Sequence, residues 1–278
     1  GDVYKRQQRA YPSGAKVNVQ KKDYPSQYFC TDEMDLVGPR YLKGSTRLYC
    51  FNLIDTSTHA VHIEPIRSKE AVEIVRGIIE AWRQLGLPDC LQMDNEMTFR
   101  GSNRHPRSLG LVLRFVLSMG VVVRFIPCAE PWRNGMIEKF NDTFDKRFFR
   151  VQKFADFDAL KAEAAVFQQF HNERHRYSTQ GGRTPQQMQE LYSPRPKMRL
   201  PSGFDPKVPL QLDEGVISFV RFIRSDGVLE VLGTRFRVDN GLIYSYVEAD
   251  LIIHRHTLVV SSNDVVHHRF SFVMPVDW

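Results

Sequence analysis

The chain has 278 residues, of which 42% are hydrophobic and 25% charged, and its formal net charge is +6. This composition is that of a globular protein, and the longest apolar region, residues 111–128, is interrupted by Arg114 and Arg124, which argues against a membrane span. The four cysteines are scattered without a C-x-x-C pair, so they predict reduced core residues, and we expect a soluble intracellular protein.

Two segments carry the excess of positive charge. Residues 1–24 contain six Lys/Arg and two acidic residues, and residues 193–207 contain four Lys/Arg and one acidic residue. We interpret the first as a basic N-terminal linker. Residues 2–7 read like a translated sequencing-library adaptor, so an artefactual start is one interpretation of it. Clustered positive charge favours an anionic partner such as nucleic acid.

The first part of the chain reads as strands followed by a helix. Three β-rich runs with short connections suit an antiparallel meander: Tyr28–Val37, Arg47–Asp55 and Ala60–Ile66. Ser68 is predicted to cap a helix that extends through Leu85 and stops at Gly86. A fourth strand, Cys90–Met93, follows.

The next elements alternate between helix and strand. We predict helices at Leu109–Met119 and Phe157–Tyr177, with a strand at Val121–Ile126 between them. The segment from Glu130 to Val151 predicts one more helix. Its apolar residues recur every three or four positions, as a single buried stripe requires: Ile137, Phe140, Phe144, Phe148 and Val151.

Three carboxylates stand where buried elements end or begin. Asp35 and Asp94 follow apolar runs that we interpret as strands, and Glu138 lies in the first turns of the predicted helix. Because a carboxylate at a strand end needs a compensating cation, one divalent ion shared among them would explain all three. Carboxylate oxygens suit Mg²⁺ or Mn²⁺. Taken alone, Glu138 is more typical of an acid placed for the helix dipole.

The context of these carboxylates resembles the D-D-E signature of the retroviral integrase superfamily, in particular integrase-type bacterial insertion-sequence transposases. The resemblance rests on Asp35 with L-V-G-P after it, on Asp94 with Asn95, and on N-G-M-I-E ending at Glu138. Two features depart from the pattern: Glu96 stands where Gly is common, and 43 residues separate Asp94 from Glu138. We expect Asn95 to turn Glu96 away from the metal.

The resemblance implies an α/β, ribonuclease-H-like integrase catalytic core over residues 25–192. It also implies Asp35, Asp94 and Glu138 as catalytic residues that bind two Mg²⁺ or Mn²⁺ ions per active site. The expected partners are DNA, as element ends and target, and further copies of the chain in a homo-oligomer on that DNA. No membrane partner is expected, and the predicted location is the bacterial cytoplasm, associated with the nucleoid.

The end of the last core helix also resembles these transposases. Asn172 and Arg174 match an asparagine- and arginine-rich segment, and Thr184-Pro185 matches the start of a short helix. The usual Pro-His after the arginine is replaced by His175-Arg176.

A Pro-rich basic linker, residues 193–207, precedes a region whose apolar period is two. We predict a small β-barrel over residues 208–278 that binds DNA or mediates assembly, with hairpin turns at Asp226-Gly227 and Asn240-Gly241. Its predicted strands are Val216–Arg224, Val228–Leu232, Arg235–Val238, Leu242–Val247, Leu251–Val260 and Val266–Val273.

Candidate DNA contacts come from the basic residues near the carboxylates and in the barrel. Between Met97 and Ala129 there are five arginines and no acidic residue, which would admit a phosphate backbone, although a solvated loop followed by an ordinary helix is the alternative. The predicted contacts are Arg100, Arg104, Arg107, Arg133, Asn134, Lys139, Arg147, Arg174, Arg176, Arg221 and Arg235.

The leading interpretation is a DNA transposase that cleaves and joins DNA strands for a mobile element. Two alternatives stay open: a ribonuclease-H-like nuclease that only hydrolyses, and an inactive DNA-binding remnant. Products of a strand-transfer assay distinguish the three.

Overall fold

The structure, a computed structural model, describes residues 30–42, 47–95, 108–127, 130–208, 210, 212 and 214–274. The strands are β1 (Thr31–Tyr41), β2 (Arg47–Asp55), β3 (Val61–Ile66), β4 (Cys90–Met93), β5 (Val122–Phe125), β6 (Val216–Phe222), β7 (Val228–Val231), β8 (Thr234–Arg237), β9 (Tyr246–Ile252), β10 (Thr257–Ser262) and β11 (Val265–Ser271). The α-helices are α1 (Ala71–Leu85), α2 (Leu111–Ser118), α3 (Gly135–Phe144), α4 (Phe157–Arg174) and α5 (Pro185–Gln189).

Nine strands form one sheet in the order β11-β10-β9-β6-β5-β4-β1-β2-β3. The first three strands pair antiparallel, as predicted, whereas β4 lies parallel to β1 and β5 parallel to β4. Parallel neighbours need crossover connections, which α1 supplies before β4 and α2 before β5. This arrangement of β1 to β5 with its helices is the predicted ribonuclease-H-like α/β fold.

Helices cover both faces of the sheet. One hydrophobic cluster joins α1 and α2 to the sheet through residues such as Trp82, Phe115 and Met34. A second cluster on the other face joins α3 and α4 to it through residues such as Phe144 and Leu160. Within the described ranges, every helix is too short or too polar to cross a membrane.

Helix α1 follows the apolar spacing seen in the sequence but begins differently. Its buried side includes Ile74, Ile78 and Trp82, and it ends at Gly86. The N-cap is Glu70 rather than the predicted Ser68, whose hydroxyl accepts a hydrogen bond from the Glu70 amide. Gly77 is required by close packing, because a Cβ there would lie 2.7 Å from the Phe51 ring.

The helix that carries Glu138 is longer than α3 alone. A 3₁₀ turn at Pro131–Asn134 leads into α3, and a π-helical turn at Asp145–Phe149 continues it. Ile137, Phe140, Phe144 and Phe148 are buried as predicted. Val151 is 67% exposed, so its place in the stripe was wrong. The π-helical turn lies just before Val151 and changes the number of residues per turn, so Val151 no longer lies on the buried side of the helix.

Helix α4 protects the outer edge of the sheet. Asn172 accepts a hydrogen bond from the Val61 amide and donates one to the Val61 carbonyl, each 2.9 Å long. Gln168 accepts from the Ile63 amide at 2.8 Å. These amide groups satisfy the backbone of β3, which is the terminal strand of the sheet. Beyond α4, Thr184 caps the short helix α5 in a capping box with Pro185 at its first position, as predicted.

The C-terminal strands form a small β region, and this region joins the core sheet. Strand β6 pairs parallel with β5 and antiparallel with β9. The first hydrophobic cluster includes Phe125 from the core and Phe219, Leu251 and Phe272 from the C-terminal region. The sequence pattern predicts a separate unit. The parallel pairing of β6 with β5 could not be predicted, because strands paired across the linker leave no signal in the local sequence.

The hairpin turns lie elsewhere than predicted. Strands β7 and β8 form a two-stranded hairpin around Leu232-Gly233, and both turn residues have positive φ. Asn240–Leu242 is a 3₁₀ turn, and a further 3₁₀ turn at Ile253–Arg255 divides the predicted strand Leu251–Val260 into β9 and β10. Asp226-Gly227 joins β6 to β7, which are not paired partners in a hairpin.

The linker is anchored to the core. Arg195 lies 2.8 Å from an Asp32 carboxylate oxygen and 2.6 Å from an Asp55 oxygen, and its side chain is 9% exposed. The Pro196 carbonyl accepts a hydrogen bond from the Leu87 amide. The predicted Pro-rich basic linker therefore contains one basic residue that pairs with two buried carboxylates.

Candidate active site

Asp35 is held between two strands and a helix. One of its carboxylate oxygens accepts a hydrogen bond from the Leu36 amide at 2.7 Å, and the other accepts from the Asn141 side chain at 2.8 Å. The Asn52 side chain on β2 donates a hydrogen bond to the side-chain oxygen of Asn141 at 2.8 Å. Because Asn141 lies one turn after Glu138 on α3, this chain of amides fixes Asp35 against the helix that carries Glu138.

The three predicted carboxylates lie close enough together to interact electrostatically. Burial raises the pKa of Glu138, and the negative charges of Asp35 and Asp94 raise it further. Charges act this way only at short range in a partly buried setting. Asp94 and Asp35, which lie 44 and 103 positions before Glu138 in the chain, therefore form one acidic cluster with it.

The donor chemistry of this cluster fits a divalent cation. Three carboxylates that repel one another are stabilised by Mg²⁺ or Mn²⁺, both of which prefer oxygen ligands. As arranged, however, no group of three or more His, Cys, Asp or Glu side chains among the described residues converges closely enough to hold an ion. Metal binding would have to draw the carboxylates closer together, which their mutual repulsion opposes when no cation is present.

A second carboxylate on β1, which the sequence analysis missed, anchors the start of α3. Glu33 lies two residues before Asp35 and so on the same face of the strand. One Glu33 oxygen accepts hydrogen bonds from the Met136 and Ile137 amides, at 3.0 and 2.9 Å. These are two of the unpaired amides at a helix start, where a carboxylate also interacts favourably with the helix dipole. The position of Glu138, the next residue, depends on this contact.

Buried amides complete the same network. Gln92 on β4 donates to the other Glu33 oxygen at 3.2 Å and to the Arg133 carbonyl at 3.1 Å. Asn134 donates to the Met34 carbonyl at 3.0 Å. Asn134, a predicted DNA contact, is only 3% exposed, so its side chain instead fastens the start of α3 to β1.

The residue after Asp94 is fixed by the C-terminal region. Asn95 accepts a hydrogen bond from the Arg221 guanidinium at 3.1 Å and donates one to the Ile126 carbonyl. Arg221 also donates to the Ile126 carbonyl at 3.4 Å. Arg221 was predicted to contact DNA, but in the structure it connects β6 to the ends of β4 and β5. Glu96 lies outside the described residues.

The turn before α3 is also fixed by the C-terminal region. Arg133 forms an ion pair with Glu130 at 2.5 Å, and the Tyr246 hydroxyl donates to the other Glu130 oxygen at 2.7 Å. The Arg133 guanidinium lies 4.3 Å from the centre of the Tyr246 ring, in cation–π contact. With 9% of its side chain exposed, Arg133 is part of the interior instead of a free DNA contact.

The other predicted DNA contacts divide into two groups. Arg100, Arg104 and Arg107 lie outside the described residues. Five side chains are exposed and accessible to a phosphate backbone: Lys139, Arg147, Arg174, Arg176 and Arg235.

Two of the exposed residues, Lys139 and Arg147, lie close to His175. Burial, together with the positive charges of Arg147 and Lys139, lowers the pKa of His175, so these cations lie on the same side of the domain.

The arginine-rich run before Glu138 is less accessible than predicted. Arg114 is buried and donates to the Leu109 and Leu210 carbonyls, and Arg124 is buried 3.5 Å from Glu248. Two of the five arginines therefore stabilise the interior.

Comparison with known families identifies the middle of this region. Residues 119–185 match the family described as the integrase core domain. This segment of the chain is similar to an integrase core domain. The matched segment contains β5, α3 with Glu138, α4 and the start of α5, and it ends at Thr184-Pro185, which was predicted to start a short helix. The match supports a function of the DNA integration or transposition type and an activity of the nuclease or nucleotidyl-transferase class.

Several solved structures are similar to part of this chain. The catalytic core domain of HTLV-2 integrase in complex with magnesium has 16% identity and a TM-score of 0.42, and the match covers 57% of this chain and 94% of that one. The BIV integrase catalytic core domain has 16% identity and a TM-score of 0.43, covering 57% and 91%.

A further match covers more of the chain. The simian T-cell lymphotropic virus intasome in complex with the PP2A regulatory subunit B56 gamma has 13% identity and a TM-score of 0.48, covering 88% of this chain and 76% of that one. No curated protein matches the sequence.

Proposed function

We propose that this protein is a DNA transposase of the integrase type, which cleaves and joins DNA strands for a bacterial mobile element. The observation that carries the proposal is the acidic cluster, in which the charges of Asp35 and Asp94 act on Glu138. The integrase core domain match gives the reaction class, and the D-D-E contexts in the sequence favour the transposase branch.

In this proposal Asp35, Asp94 and Glu138 would hold two divalent ions. When bound, such ions supply Lewis acidity at the attacking and leaving oxygens of an in-line phosphoryl displacement. The chain itself supplies the geometry of the site. Asn141 and the Leu36 amide orient the Asp35 carboxylate, and Glu33 holds the start of the helix that presents Glu138.

The two reactions differ only in the nucleophile. In strand cleavage, a water oxygen forms a bond to phosphorus and the bond from phosphorus to the 3′ oxygen breaks, which leaves a 3′-hydroxyl and a 5′-phosphate. In strand transfer, that 3′-hydroxyl attacks a target phosphodiester and the target's own 3′ oxygen leaves as a hydroxyl. Neither step requires a covalent bond between protein and DNA.

DNA is proposed to approach along the exposed basic residues. Lys139 directly follows Glu138, and Arg147 lies on the same side of the domain, so the two can hold phosphates beside the acidic cluster. A homo-oligomer on DNA and a location in the bacterial cytoplasm, associated with the nucleoid, are part of the same proposal.

A strand-transfer assay with end-labelled DNA and Mg²⁺ tests the function. The DNA is taken from the sequence flanking the gene, with the element ends located first by footprinting. Joined products support a transposase, products that are only cut indicate a hydrolytic nuclease, and binding without either indicates an inactive remnant.

Substitutions link the activity to the cluster. Asp35→Asn and Asp94→Asn should abolish both products while DNA binding and thermal stability stay near wild type, because amides relieve the repulsion in the metal-free cluster. Asp142→Asn is the matched control, since Asp142 lies on α3 but is exposed and paired with Lys146. Full activity in either cluster variant would refute the assignment.

A further inference from the structure

The C-terminal β region reaches the candidate active site at two points. Arg221, on β6, contacts the residue that follows Asp94, and Tyr246, on β9, contacts the turn that precedes the Glu138 helix. Both contacts are between side chains, so they are not consequences of sheet pairing alone. The C-terminal β region contributes no carboxylate to the acidic cluster. Through these two contacts, however, it is connected to the elements that present Asp94 and Glu138.

The first contact acts on the ends of two parallel strands. Arg221 donates to the side-chain oxygen of Asn95 at 3.1 Å and to the backbone carbonyl of Ile126 at 3.4 Å. The side-chain amide of Asn95 also donates to the Ile126 carbonyl. Arg221 thus bridges the residues that follow β4 and β5. A guanidinium, with its planar fork of donors, can bind both acceptors at once, whereas a lysine ammonium cannot do so with the same geometry.

The second contact acts on the entry to α3. Glu130 is 6% exposed, and one of its carboxylate oxygens accepts a hydrogen bond from the Tyr246 hydroxyl at 2.7 Å. Arg133 forms an ion pair with the other Glu130 oxygen and packs on the Tyr246 ring. This closed group of three side chains fixes the 3₁₀ turn that leads into α3. Glu138 lies five residues after Arg133, so a displaced turn would displace its carboxylate.

We propose that Arg221 and Tyr246 are positioning residues of the active site, through which the C-terminal β region sets the placement of Asp94 and Glu138. The inference rests on the proposed function. It assigns Arg221 a role in metal binding and turnover in place of phosphate contact. It also makes the C-terminal region a component of the catalytic unit as well as a candidate surface for DNA or assembly.

Two pairs of variants in the full-length chain test the inference. Arg221→Met removes the bridge but keeps much of the side-chain volume, and Arg224→Met is its control, because Arg224 lies just beyond β6 and is exposed. Tyr246→Phe removes only one hydroxyl, and Tyr244→Phe is its control, because Tyr244 is 69% exposed. Arg221→Lys, a conservative variant, is included as a partial rescue.

The measurements separate positioning from DNA binding. They are the Mn²⁺ affinity of the DNA-free protein, the Mg²⁺ dependence of single-turnover strand cleavage, and DNA affinity without metal. Loss of a supporting partner around a metal site typically lowers metal affinity or activity about 10-fold to 100-fold. We expect a loss of that size for Arg221→Met and a smaller one for Tyr246→Phe, with DNA affinity within about twofold of wild type. Excess Mg²⁺ should restore part of the rate.

The results that overturn the inference are specific. Mn²⁺ affinity of Arg221→Met equal to that of Arg224→Met would show that Arg221 does not position the site. A loss confined to DNA affinity would return Arg221 to the role of a phosphate contact. If Arg221→Met does not fold, Tyr246→Phe decides, and equality with Tyr244→Phe counts against the inference. Glu138→Gln, measured in parallel, distinguishes this failure from failure of the proposed function, since only the latter predicts unchanged metal binding in that variant.

Discussion

Replacing Glu33 by alanine tests whether a buried carboxylate holds the helix that presents Glu138. The substitution leaves the Met136 and Ile137 amides without their acceptor, and it removes one acceptor of the Gln92 side chain, which keeps the Arg133 carbonyl. A buried donor left unsatisfied costs about 1–3 kcal/mol, and the two amides share one acceptor group, so we expect a total loss of about 3–5 kcal/mol. Glu33→Gln keeps one acceptor oxygen and should lose about 1–2 kcal/mol.

Urea unfolding followed by circular dichroism at pH 8 measures this loss. Burial raises the pKa of Glu33 to about 7, so the carboxylate is ionised at that pH. Asp158→Ala is the control, because Asp158 also lies in the first turn of a helix but is exposed, and it should cost less than about 1 kcal/mol. A loss for Glu33→Ala no larger than that of the control would refute the role of Glu33 as an anchor.

Three further predictions concern other parts of the chain. Burial lowers the pKa of His171 to about 4, below its ordinary 6.5, so this group alone should remove about 3 kcal/mol of unfolding free energy between pH 6.5 and pH 4 as the unfolded chain binds the proton. In the same urea series, the difference in unfolding free energy between wild type and His171→Gln should therefore change by about that amount over this pH range. Arg195→Met leaves two buried carboxylates unpaired and should cost about 3–5 kcal/mol in thermal or urea unfolding, whereas the exposed linker variant Arg199→Met should be nearly neutral. Arg235→Ala should reduce the slope of log DNA affinity against log salt by about 0.9 if Arg235 contacts a phosphate, and an unchanged slope in fluorescence anisotropy would exclude that contact.

Local pattern was sufficient to predict most core elements. Arg47–Asp55 and Cys90–Met93 have the bounds expected from the sequence, because alternation, apolar runs and turn residues are properties of neighbouring positions. The stripe of the Glu138 helix was right up to Phe148 and wrong at Val151, where the π-helical turn intervenes.

The contacts that position the carboxylates could not be predicted in this way. Glu33 stands in the same run as Asp35, and nothing local distinguishes a carboxylate that caps a helix 103 residues later from one that binds metal. Arg221 and Asn95 are separated by 126 residues. Their pairing depends on the parallel alignment of β6 with β5, which has no signal in either segment.

The burial of predicted DNA contacts has the same origin. Arg133 and Asn134 are polar residues beside a turn, where exposure is the ordinary expectation. In the structure, Tyr246 covers Arg133, and β1 and β4 bind Asn134. Both partners come from distant parts of the chain, so the correct assignment required the tertiary structure.

Mn²⁺ binding to the DNA-free protein, measured by electron paramagnetic resonance, tests the central claim most directly, because it reports whether Asp35, Asp94 and Glu138 share metal ions. Wild type and the exposed control Asp142→Asn should bind Mn²⁺ equally. Glu138→Gln should lower the affinity by about 10-fold or more and, since the repulsion that raises the Glu138 pKa is removed, should leave the metal-free protein at least as stable as wild type. Equal Mn²⁺ affinity in Glu138→Gln and Asp142→Asn would contradict the claim that these three carboxylates form the metal site.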